Sequence, residues 1–184
     1  MSVQRSAHFT VLHDPADRKR AEAVAALCEE GYGRLTERFG RPVPGQIVVI
    51  LPHTLEQLEE MLQATFDLSN FVAFASAAVD RDRGWEATAP RVYVQDTNLA
   101  RSRRQFQLQT FHHEFAHVAA FPLAGPAVAS WIHEGLADWM ASGEKPPAEV
   151  GGWDAVLPHE SEFSTGGGDS ILRAYDESTS AMAF

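Results

Sequence analysis

Cysteine is almost absent from this sequence: of 184 residues, only Cys28 carries a thiol. No intrachain disulfide can form and no cysteine-based zinc site can be assembled, so any bound metal has to be held by histidines and carboxylates. Long hydrophobic runs are missing as well. Stretches such as Ile47–Leu51 fall far short of the ~20 apolar residues of a spanning helix, and the opening Met1-Ser2-Val3-Gln4-Arg5-Ser6 has no hydrophobic signal region. The chain is therefore expected to be soluble, with no membrane segment, and cytoplasmic by default. Basic residues are in the minority, with 15 Lys and Arg against 25 Asp and Glu and a formal net charge of -10. Such a surface repels a phosphate backbone, so nucleic acid is not an expected partner. The short cluster Arg101, Arg103 and Arg104 is expected to be a solvated face. Gly166-Gly167-Gly168 lacks the lysine or the spacing of a phosphate loop, and no repeat of solenoid length is present.

What is there suffices for one core. An apolar fraction of 45% over this length is expected to give a single domain over residues 1–184. Phe9–Leu12 suggests a short strand, and 16–39 a helix whose Val24, Leu27, Cys28, Leu35 and Phe39 recur at the helical period until Gly40 stops it. The aliphatic run Ile47–Leu51, bounded by Pro44-Gly45 and Pro52, is the expected central strand, covered on both faces. Thr54 is placed to cap a helix carrying Leu55, Leu58, Met61 and Leu62 on one stripe. Phe71–Val79 fits strand or loop equally. Arg91–Gln95 alternates and is expected to be a strand, with Val92 and Val94 on one face and Tyr93 on the other. Asp96, Thr97 or Asn98 is expected to cap one long helix ending near Phe121 at Pro122, and Pro126 to open the next, which runs to about Ser142. A last helix is expected from Ile171. Its end, Ala181-Met182-Ala183-Phe184, has no stop signal, so the domain is expected to be cut short there.

The chemistry is concentrated in His113-Glu114-Phe115-Ala116-His117. Two imidazoles four residues apart on a helix stand one turn apart on one face and can reach one ion, while Glu114, rotated away, can reach a water on that ion. The pattern arises by chance in roughly one or two of a hundred chains of this composition, so a third ligand decides its meaning. Trp131-Ile132-His133-Glu134-Gly135-Leu136-Ala137-Asp138 lies on the following helix, where Glu134 can face the first across a helix-turn-helix hairpin. Two histidines, one glutamate and a water make an open, catalytic zinc arrangement. Leu108, Phe111, Phe115 and Val118 form the apolar stripe of the first helix, and Val128, Ile132 and Trp139 that of the second. Both polar sets then point away from the core side. Asp138, one turn beyond Glu134, suits the outer hydrogen bond that orients a metal-bound histidine, with His113 as its partner. A reading in which Asp138 itself is the third ligand stays open. His112, His133 and His159 are expected to be surface or packing residues, and Trp131, Trp139 and Trp153 core or interface.

On His113-Glu114-x-x-His117 followed by Glu134-x-x-x-Asp138, with Trp131 and Gly135 flanking the third ligand, the chain resembles the gluzincin metallopeptidases, and specifically the small MA-like peptidase family. The specific part of the resemblance covers about residues 106–141. It implies an α+β fold, a small mixed sheet followed by a zincin helix-turn-helix active-site hairpin in a thermolysin-like catalytic core. It also implies one Zn2+ on His113, His117 and Glu134, and a peptide or protein substrate. A downstream tyrosine or histidine is implied as oxyanion donor, for which Tyr175 is the candidate. The glycine and histidine of a metzincin are replaced by Ala120 and Leu123, which excludes that class.

The expected reaction is attack of a zinc-activated water on a peptide carbonyl, with Glu114 as general base and then proton donor to the leaving amine. Arg91–Gln95 is expected to serve as a sheet edge along which an extended peptide lies. Two other readings remain: a metal-retaining but catalytically silent binding or scaffold domain, and a metal-free domain with a chance motif. Endo- or exopeptidase action and oligomeric state are left open.

Overall fold

The computed structural model describes residues 1–40, 42, 45–63, 68–80, 86–124 and 129–142. The expectations for Pro126, Trp153, His159, Tyr175 and the helix from Ile171 lie outside these residues.

Among the described residues, five strands form one mixed sheet in the order β1-β2-β3-β5-β4. These are β1 (Ser2–Arg5), β2 (Phe9–His13), β3 (Ile47–Leu51), β4 (Ala73–Asp80) and β5 (Glu86–Val94). β2, β3 and β5 run parallel, and β1 and β4 are antiparallel to their neighbours. The helices are α1 (Arg18–Phe39), α2 (Leu55–Leu62), α3 (Asp96–Arg101), α4 (Arg104–Ala124) and α5 (Ser130–Ser142). The architecture is thus α+β, and β3 is the central strand, as its aliphatic run requires.

Alternation along the central strands divides the apolar residues between two clusters. Phe9, Val11, Ile47, Val49, Leu51, Val92 and Val94 point to the face that receives α1, α4 and α5. Ile50 and Tyr93 point to the other, against Leu58 of α2. Helix boundaries follow local chemistry. Thr54 accepts a hydrogen bond from the Gln57 backbone N–H and opens α2. Gly40 takes the left-handed conformation, φ 71°, and its N–H closes α1 on the Thr36 carbonyl. Gly31 answers a different need, since a Cβ there would lie 3.3 Å from the Phe115 ring and 3.4 Å from Phe111 Cβ. Its missing side chain lets α1 lie close against α4.

Several expectations are corrected. The single long helix before Pro122 is two helices, because Ser102 leaves the helical region and its Oγ donates to Asn98 O while Gln107 Nε2 donates to the Leu99 and Ser102 carbonyls. These side chains satisfy the end of α3, so the break costs little hydrogen bonding. The cap of α3 is Gln95, whose side chain accepts from the Asn98 N–H, and Asp96 is in the first turn. α4 continues past Pro122 to Ala124. A proline's fixed φ is helical, so it can occupy a last turn. Met61, expected on the buried stripe of α2, is 42% exposed. Trp139, expected on the core stripe of α5, is also 42% exposed, and that helix buries Gly135, Ala137 and Met140 instead. Trp139 thus lies on the outer side of the helix, away from the face that carries Gly135, Ala137 and Met140. β1 was not expected at all, and of the undecided Phe71–Val79 only the part from Ala73 onward lies in strand β4. Arg101, Arg103 and Arg104 are exposed as expected, with Arg104 paired to Glu30 at 2.6 Å. No helix among the described residues is long and apolar enough to cross a membrane.

Candidate metal centre

α4 is buried on nearly every side. From Phe111 to Ala120 only His113 retains partial exposure. Phe111 and Phe115, both fully buried, anchor it with ring centroids 5.7 Å apart, and Phe115 meets Phe9 of β2 at 4.8 Å. This packing fixes the rotation of the helix and aims His113 and His117 at α5. α5 in turn presents Glu134 and Asp138, one turn apart, toward α4.

Three atoms converge. His113 Nε2 lies 3.1 Å from His117 Nε2 and 3.1 Å from Glu134 Oε2, and His117 Nε2 lies 3.4 Å from the same oxygen. Four ligands placed tetrahedrally around zinc at 2.0–2.1 Å are about 3.3 Å apart, so this triangle has the edge lengths of a zinc face. His113 Nδ1 lies 2.7 Å from Asp138 Oδ1, so its N–H donates outward to that carboxylate and Nε2 is the nitrogen turned to the centre. In the metal-free protein a proton on His113 bridges to Glu134 at this point, and a zinc ion would take its place. The donor set and its spacing therefore fit zinc. Asp138, bonded on the Nδ1 side, faces away from this centre, which weighs against its being the third ligand.

The electrostatics show how strongly the pocket demands positive charge. Burial disfavours a charged His113, yet hydrogen bonds to Asp138 and Glu134 outweigh it and raise its pKa to about 10. Burial likewise pushes the Glu134 carboxyl up, but the hydrogen bonds from His113 and His117 hold it well below the usual carboxylate range. Glu114 behaves differently. It is 5% exposed, and burial raises its pKa against the opposing pull of His113, His117 and a hydrogen bond from the Ala75 backbone. A carboxylate with raised proton affinity beside a cation site is suited to taking a proton from water.

Comparison with protein-family models, curated proteins and solved structures finds no match in any of the three. The site therefore has to be read from its own geometry.

The structure brings together His113, His117, Glu134, Asp138 and Glu114, and Tyr175 lies outside the described residues. It also corrects the edge. β5 is paired on both sides, with β3 and β4, so Arg91–Gln95 offers no free edge. Among the described residues β4 is the outer strand, and it reaches the site through the Ala75 backbone contact with Glu114. The alanines and serine of β4 carry little strand signal, so its role could not be read from sequence. Phe121 and His133 are also neighbours of the site: the Phe121 ring stacks 6.1 Å from that of His117, and His133 lies 6.3 Å from it. The position of Phe121, one turn beyond His117, is the signal that could have found it. His112, 5% exposed, is a packing residue as expected, and burial with the nearby Arg34 and Arg38 lowers its pKa.

Proposed function

We propose that this protein is a zinc-dependent peptidase with a thermolysin-like catalytic core, in which His113, His117 and Glu134 hold the ion and Glu114 is the general base. The observation that carries the reading is the triangle of two imidazole nitrogens and one carboxylate oxygen, 3.1, 3.1 and 3.4 Å on its sides, with no fourth protein ligand among the described residues. A structural zinc site fills its fourth position with protein, whereas a catalytic one keeps it for water or substrate. When bound, zinc supplies Lewis-acid polarisation and lowers the pKa of water.

The chain's own residues account for the remainder. Asp138 fixes the tautomer and ring orientation of His113. Glu114 accepts a proton from the attacking water and returns it to the leaving amine, a double task that its raised proton affinity favours. The outer strand β4 is the nearest surface on which an extended peptide can add as a further strand, with its backbone beside Glu114.

The test separates holding the metal from doing chemistry. Glu114→Gln is expected to retain one zinc per chain by elemental mass spectrometry while losing at least ~100-fold in turnover of a mixed peptide library. Cleavage by this variant at the parent rate removes Glu114 from the mechanism. A parent protein that holds zinc but cleaves nothing in the library favours instead a binding or scaffold domain.

A further inference from the structure

A second polar cavity, of about 340 Å³, lies between α1, α4 and the last turn of α5. Its wall includes Arg34, Glu37 and Arg38 of α1, and Gln105, Gln109 and His112 of α4. Arg34 and Arg38 are one helical turn apart, so their guanidinium groups serve the same face. Neither is exhausted by its partners. Arg34 Nη2 is 3.6 Å from Glu30 Oε1 on an exposed side of the helix, and Arg38 Nη1 donates to Met140 O at the end of α5. A guanidinium offers five N–H donors, so each retains several. Two amide side chains add neutral donors.

We propose that this cavity binds a small oxyanion, a phosphate or carboxylate group, between Arg34 and Arg38. Two guanidinium groups face one acid on the wall, Glu37, and the neighbouring Glu30 is shared between Arg34 and Arg104, so the local balance stays positive in a chain of net charge -10. The planar fork of arginine matches both kinds of oxyanion in a bidentate manner. Arg38 already covers the carbonyl end of α5, whose partial negative charge would otherwise repel the ligand. Nothing in this argument depends on the metal site.

Nitrogen-detected spectra of the arginine side chains in the full chain test it at residue resolution, with inorganic phosphate and acetate as separate probes. Saturable shifts of the Arg34 and Arg38 signals are expected with at least one probe, and the responding probe identifies the headgroup. Arg34→Gln is expected to weaken that response roughly tenfold, as is Arg38→Gln, since each removes charged hydrogen bonds. Arg38→Gln also loosens α5, so Arg34→Gln, whose partner Glu30 keeps its pairing with Arg104, is the variant that decides. The proposal is overturned if neither probe shifts these signals up to about 50 mM. It is equally overturned if Arg34→Gln binds as tightly as the parent.

Discussion

Replacing Asp138 probes the metal centre without touching a ligand. The perturbation removes the carboxylate that accepts from His113 Nδ1–H at 2.7 Å. A hydrogen bond between charged partners contributes about 1.5–3 kcal/mol, or roughly 10- to 150-fold in an equilibrium constant. Loss of an outer hydrogen-bond partner of a metal-bound histidine costs about 10- to 100-fold in affinity, which agrees. The His113 side chain is 15% exposed and that of Asp138 32% exposed, so water can partly replace the lost acceptor. The lower end applies, and Asp138→Ala should weaken zinc binding about tenfold. Asp138→Asn keeps an oxygen acceptor but not its charge, so its loss should be nearer threefold, about half the free energy. Competition with a chromophoric chelator at fixed pH measures both, and Glu60→Ala, which removes an equally negative but exposed side chain, corrects for net charge. Zinc affinity of Asp138→Ala within about twofold of Glu60→Ala would show that the bond does not orient the ligand.

Three further outcomes follow from the packing and the charges. In metal-free protein the His113 pKa is about 10 against an ordinary 6.5, so its stabilising contribution is complete below pH 6.5 and is lost as pH rises toward 10. The thermal midpoint in chelator should fall across that window while zinc affinity, which requires displacing the proton, rises; a flat midpoint would remove His113 from its hydrogen bonds. Phe115→Ala, at a fully buried position between Phe9 and Phe111, should cost about 3–5 kcal/mol in urea unfolding, and a loss under about 1 kcal/mol would mean the three rings do not form the anchor. Gly31→Val should destabilise by about 1–3 kcal/mol in the same assay, because its first carbon already meets the Phe115 ring at 3.3 Å; a stabilised variant would disprove the close approach of α1 and α4.

Much of the site was legible before the fold was known. The four-residue spacing of His113 and His117 and the turn-by-turn spacing of Glu134 and Asp138 are helical arithmetic, and helices form where that arithmetic places them. The strands with branched aliphatic side chains, β2, β3 and the end of β5, were legible for a similar reason: alternation and burial leave a strong imprint. Illegible were the features set by what a residue packs against. Trp139 looks like core from its period, yet the buried face of α5 is the one that carries Gly135, Ala137 and Met140. The break at Ser102 depends on Gln107, five residues on, reaching back to two carbonyls. The edge was misplaced because strand order is a property of pairing partners, and β4, half of it alanine, announces little.

On the proposed zinc reading, the burial of α4 on almost all sides also bears on which ions the centre would accept. Densely packed interiors yield little, so the positions of the two α4 imidazoles are set by Phe111, Phe115 and their neighbours rather than by a guest. Calcium, which needs six or more oxygens at longer bonds, meets two nitrogens and a short span it cannot widen. Discrimination by size thus originates in aromatic side chains that never touch the ion.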